Sequence, residues 1–124
     1  MRIAVFASGR GSNLQAIHDA VLADKLQGVS LDLLVCDHPD APVVKEVKKR
    51  GIPAFVFRPQ DYPDKNSYET VISEKLKTAK IELVVLAGYM RLVGSVLLEQ
   101  WEGRMINLHP SLLPLFPGID AVGQ

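Results

Sequence analysis

The sequence predicts an α/β fold, a doubly wound and mostly parallel sheet of Rossmann-like type with helices on both faces. Three observations carry this prediction. Short β-branched runs alternate with stretches of helical periodicity along the chain. The strand runs are nearly continuous in apolar residues, as a sheet covered on both faces requires. The first of them ends in a glycine loop that opens at once into a helix.

Ile3 to Ala7 reads as a buried first strand. Leu14, Ile17, Val21 and Leu22 then form one stripe at helical spacing, and Ser12 with Gln15 has the spacing of a capping box. Leu31 to Cys36, interrupted only by Asp32, is a second strand. Asp40 followed by Pro42 signals a cap and first turn, Val43, Val44 and Val47 give the second helix its buried face, and Gly51 ends it in the left-handed region. Ala54 to Phe57 is a third strand, and Arg58 to Lys65, with two prolines and four charges, is the longest clear loop. Tyr68, Val71, Ile72 and Leu76 make the third helix amphipathic. Leu83 to Ala87 is a fourth strand ended by Gly88, Val96 to Gln100 a short helix, and Met105 to Leu108 a fifth strand. No repeat interrupts this order, and its crossovers should be right-handed.

At 124 residues the chain has the length of one domain. Fourteen basic and fourteen acidic residues cancel, so no field of one sign points to nucleic acid or a membrane surface as partner. Cys36 stands alone and cannot close an internal disulfide, which fits a reducing cytoplasm. The apolar stretch at the amino terminus is too short for a signal peptide or a membrane span.

Two places carry chemistry. In the loop Ser8-Gly9-Arg10-Gly11-Ser12-Asn13, the glycines let the backbone turn sharply and approach a ligand. The amides of Gly11, Ser12 and Asn13 open a helix and form an anion site together with its dipole. A dinucleotide fingerprint would place a third glycine at position 14, where Leu14 stands, so a single phosphate monoester is the better guest. Asp37, at the end of the second strand, keeps a ribose-binding dinucleotide reading open, and a capped turn without ligand is the bland alternative. The second place is Asn107 and His109, two apart on the fifth strand and so on one face, with Pro110 holding the histidine extended. An amide aimed at an oxyanion contributes ~10²–10³ in rate. An imidazole acting in proton transfer contributes ~10²–10⁴. A core histidine beside a turn-forming asparagine is the competing reading.

No metal is expected: His18, His38 and His109 are scattered, and no ligand pair has zinc spacing. His18 reads as a boundary residue, His38 as part of a turn, and Cys36 as a small buried hydrophobe. Gly-x-Ser-x-Gly is absent.

Ser8 to Asn13, Ala87-Gly88-Tyr89-Met90-Arg91-Leu92 and Asn107-Leu108-His109-Pro110-Ser111-Leu112-Leu113-Pro114 together resemble the glycinamide ribonucleotide formyltransferase family. The resemblance implies transfer of a formyl group from 10-formyltetrahydrofolate, as co-substrate, to the amine of glycinamide ribonucleotide in purine synthesis. It further implies that Gly11, Ser12 and Asn13 hold the ribose phosphate. Met90, Arg91, Leu92 and Val93 would border the pterin, with Arg91 readable also as a solvated loop charge. Asn107 would donate to the tetrahedral oxyanion, and His109 would supply a proton or positive charge. The implied partners are small molecules, with oligomeric state open. Methionyl-tRNA formyltransferase shares the His-Pro-Ser-Leu-Leu-Pro run, and a noncatalytic phosphate-binding module of the same fold is a further alternative.

The family also uses an aspartate from a segment well beyond Pro114. Asp120 is the only acid after His109 and does not lie in the matching motif. The expectation is therefore an incomplete formyltransferase domain over 1–124, lacking the later strands and helix, with the fifth strand left as an open edge and activity impaired.

Overall fold

The computed structural model describes residues 1–109 and 118–121. Its elements are β1 (Arg2–Ala7), α1 (Ser12–Leu22), β2 (Ser30–Cys36), α2 (Pro42–Arg50), β3 (Ala54–Val56), α3 (Lys65–Thr78), β4 (Leu83–Leu86), α4 (Ser95–Trp101), β5 (Met105–His109) and β6 (Gly118–Ala121). A single 3-10 turn, Pro59–Asp61, lies in the long loop before α3. The strands form one sheet in the order β3-β2-β1-β4-β5-β6. The first five pair in parallel.

Residues of β1 alternate between two cores. Ile3, Val5 and Ala7 join Leu14 and Ile17 of α1 and Val43, Val44 and Val47 of α2 on one face. Ala4 and Phe6 join Tyr68, Ile72 and Leu76 of α3 and Leu97 and Trp101 of α4 on the other. The apolar runs of the inner strands follow from this, since a strand covered on both faces has no side to give to water. Each fully buried large side chain, such as Trp101 or Leu34, adds roughly 1.5–3 kcal/mol.

Four local expectations change. Ser12 is the first residue of α1, Gly11 takes the cap position, and no side chain caps the helix, so the capping box does not form. The cause is tertiary: a Cβ on Gly11 would lie 3.4 Å from Val43 and Glu46, so that residue is pressed against α2. Leu22, placed on the buried stripe by its spacing, is 69% exposed. It lies about 100° round the helix from Val21, past the packed face. At α2 the cap position falls on Ala41 rather than Asp40. Ala41 precedes Pro42 and is extended, at φ −66 and ψ 142, as the proline ring demands of the residue before it. Finally, β5 is not an open edge. β6 pairs with it antiparallel, from Ile106 opposite Ala121 to His109 opposite Gly118, and so occupies its backbone groups. Gly51, by contrast, ends α2 at φ 70, as its position predicts.

Candidate active site at the carboxyl edge of the sheet

The strand order reverses at β1 and β4, and in doubly wound sheets the ligand crevice opens beyond the carboxyl ends at that switch point. Two loops leave this point. The segment after β1 runs to α1 on one face, and the segment after β4 runs to α4 on the other. In register, Phe6 is opposite Leu86 and Leu86 opposite Asn107, so both loops and the end of β5 share one edge. From β1 to β5 is two strand spacings, about 10 Å.

The first loop is shaped by its backbone. Gly9 O accepts from Val43 N, and Gly11 O accepts from Gln15 N. Neither Gly9 nor Gly11 has a positive φ, so left-handed backbone is not why they are glycine. Gly9 leaves open space, with nothing within 4 Å of a Cβ placed there, and Gly11 packs on α2. Among the described residues no acceptor takes the amides of Gly11, Ser12 and Asn13. Ser12 is exposed and Asn13 is buried at the first turn. These are unpaired donors on a helix start, the arrangement that receives anions.

The second loop is held by side chains. Ser8, itself buried, accepts at Oγ from Met90 N at 2.8 Å. Lys65 Nζ donates to Leu92 O at 2.7 Å. Arg91 Nε donates to Asp37 Oδ2 at 2.9 Å. Glu69, wholly buried on α3, accepts from Gly94 N at 2.7 Å and from Leu97 N at 3.4 Å, capping α4 with a carboxylate. The fit at Gly94 is tight: a Cβ would sit 2.8 Å from both Glu69 Oε1 and Lys65 Cδ. The Tyr89 ring meets Phe6 edge-on at 5.3 Å, and burial pushes its phenol well above the ordinary tyrosine range. So tethered, the loop projects Met90 and Leu92 at 81% and 83% exposure, with Val93 half-buried.

The structure therefore brings Gly11, Ser12 and Asn13, Met90 to Val93, and Asn107 to one edge. Asn107, the middle residue of β5, is exposed. His109 closes that strand opposite Gly118, while its side chain, and the Pro110 to Pro114 part of the motif, lie outside the described residues. Arg91 is no free solvated charge. Asp37 holds Arg91 through Oδ2 and its side chain is only 5% exposed, which weakens the ribose-acid reading, while its buried Oδ1 has no hydrogen-bond partner among the described residues. His18 Nδ1 lies 2.9 Å from Arg50 Nη1 and must accept there, as a guanidinium only donates, so His18 is a structural boundary residue. Cys36 is buried, its thiol raised by that burial. Among the described residues no group of three His, Cys, Asp or Glu could hold a metal ion. No helix among them is long and apolar enough to cross a membrane.

Ser8, Asp37, Lys65 and Glu69 were not legible as loop tethers in the sequence. Only Glu69 left a signal, because it falls on the buried face of α3 at helical spacing from Ile72 and Leu76, where an acid needs a reason to be.

A doubly wound sheet whose loops gather at the switch point, one opening a helix with unpaired amides and one projecting side chains, defines a Rossmann-like α/β domain. The chain belongs to the formyl transferase family, whose model matches residues 1–124. It is 50% identical over 123 residues to phosphoribosylglycinamide formyltransferase of Bacillus subtilis (strain 168), covering 99% of this chain and 63% of that protein. Its fold superposes on glycinamide ribonucleotide transformylase 1 from Geobacillus kaustophilus with TM-score 0.85 at 51% identity, covering 94% of this chain and 62% of that one. The corresponding values for phosphoribosylglycinamide formyltransferase from Bacillus halodurans are 0.84 and 49%, over 95% and 60%. The chain thus spans somewhat under two thirds of the length of these relatives.

Proposed function

We propose that the chain carries substrate-binding and catalytic parts of a phosphoribosylglycinamide formyltransferase, which moves the formyl group of 10-formyltetrahydrofolate to the amine of glycinamide ribonucleotide. The observation that carries this reading is the unpaired amides of Gly11, Ser12 and Asn13 on the same sheet edge as Asn107. The strand that leads into those amides, β1, lies two strand spacings, about 10 Å, from β5, so one crevice can take a small molecule that carries both a phosphate and an amine. The names of the Bacillus and Geobacillus relatives support the same substrate.

In this reading the loop amides hold the ribose phosphate, and Met90, Arg91, Leu92 and Val93 wall the pterin. The amine nitrogen attacks the formyl carbon. Asn107 donates to the oxygen that becomes an oxyanion, which is a bond stronger in the transition state than before it. The tetrahedral intermediate then releases its electron pair to the folate nitrogen, His109 delivers a proton there, and the attacking amine gives up one. Positioning and charge stabilisation do the work, with no covalent enzyme intermediate. The partners are small molecules, and a cytoplasmic setting belongs to the same reading, since Cys36 has no disulfide partner in the chain.

Calorimetric titration with glycinamide ribonucleotide and with the same compound lacking its phosphate tests the site. Heat with the first and none with the second is the expected result. Equal heats would mean that the Gly11 to Asn13 amides do not read the phosphate.

A further inference from the structure

Arg91 is the one side chain of the loop after β4 that crosses to the end of β2. Its partner there, Asp37, is the residue immediately after Cys36, the last of β2. The two members are unequal: the Asp37 side chain is 5% exposed and Arg91 46%. The acid is thus the fixed end of the pair, built into the sheet edge, and the arginine is the group being held. The contact runs from Arg91 Nε to Asp37 Oδ2, and no described residue is bound by the two terminal guanidinium nitrogens. Arg91 and Asp37 also line an open cleft of about 190 Å³, together with His38, Pro39, Asp40, Arg58 and Gln60. On either side of Arg91, Met90 and Leu92 stand out into solvent at 81% and 83% exposure. Large apolar side chains so exposed take their direction from the backbone beneath them, and that backbone turns at the residue Asp37 holds.

We propose that Asp37 is a positioning residue for the co-substrate wall, one that never touches the co-substrate. By fixing Nε of Arg91 it aims the free guanidinium nitrogens and sets the orientation of Met90 and Leu92. This rests on the formyl-folate reading of the loop. A carboxylate suits the task because it is charged, short and buried: it restrains one nitrogen of the guanidinium plane and leaves the rest of the fork for a polar group on the ligand.

The test compares the chain with Asp37→Asn, which keeps the shape and loses the charge, with Arg91→Ala, and with the double variant. Two quantities are read: amide hydrogen exchange at residues 88–93, and affinity for 10-formyltetrahydrofolate beside glycinamide ribonucleotide. Expected are exchange at 88–93 faster by about tenfold and folate affinity weaker by a similar factor, as for a contacting pair that couples. Affinity for glycinamide ribonucleotide should hold within about twofold, and Asp37→Asn should add nothing in the Arg91→Ala background. Unchanged exchange and folate affinity in Asp37→Asn would overturn the proposal. So would equal weakening of both ligands, the mark of a merely structural ion pair. If the unsubstituted chain binds no folate, the functional reading fails instead, and the exchange rates at 88–93 still decide whether Asp37 orders the loop. Should Asp37→Asn not fold, Arg91→Gln breaks the same pair from the exposed side and is read in the same way.

Discussion

The two loops at the switch point solve opposite problems. The one after β1 holds its shape through main-chain bonds to Val43, Gln15 and Gly88 and leaves the amides of Gly11, Ser12 and Asn13 unpaired. The one after β4 has its backbone seized by side chains of Ser8, Lys65 and Glu69 and its arginine by Asp37. A loop that offers its backbone to an anion must keep that backbone free. A loop that offers side chains to a ligand can have its backbone tied down, and is better for it. The first should therefore be tolerant in stability and sensitive in binding, and the second sensitive in both.

Glu69→Ala should produce the largest effect. It strands the amides of Gly94 and Leu97 and empties a wholly buried site, at a cost of about 3 kcal/mol. Urea denaturation measures this, and a loss under about 1 kcal/mol would mean that the second loop is not held as described. Asp64→Ala should act more weakly and in a pH-dependent way. Asp64 caps α3, the helix that carries Lys65 and Glu69, and bonds to the Ser67 hydroxyl and amide hold its carboxyl below the usual range. A lowered native pKa gives stability that is present above the unfolded value, near 3.9, and lost as pH falls through the native one. The melting temperature of Asp64→Ala should thus lie below that of the unsubstituted chain at pH 7, and the gap should close below about pH 4. A gap that persists undiminished in acid would refute the assignment. Gly9→Ala should be smallest in stability, within about 0.5 kcal/mol, because its Cβ meets nothing within 4 Å and its φ is not positive. The methyl does enter the open side of the loop, so phosphate affinity measured by calorimetry should fall while the melting temperature stays.

The same contrast explains what could be read from the sequence. The parallel strands and their helices were legible because each is an apolar run or an amphipathic stripe, a local pattern with a local cause. β6 was not, since Gly118-Ile119-Asp120-Ala121 has little strand character of its own and pairs because β5 offers an edge. The caps of α1 and α2 were misread where packing on Val43 and the ring of Pro42 overrode the side-chain signal. At the site, the loop with free amides announced itself through glycine and a helix start. The tethers of the other did not, because Ser8 to Met90 spans 82 residues, Asp37 to Arg91 54, and Glu69 to Gly94 25. No periodicity encodes a partner at such distances.

Phe6 belongs to the core shared with α3 and α4, and its ring supports Tyr89 edge-on beneath the loop after β4. The interior and the recognition surface are thus one mechanical assembly. A change of volume deep in the sheet, made without altering any exposed atom, shifts the floor on which Met90 and Leu92 stand. A substitution at Phe6, which no inspection of the crevice would single out, is therefore expected to move the loop after β4 from within.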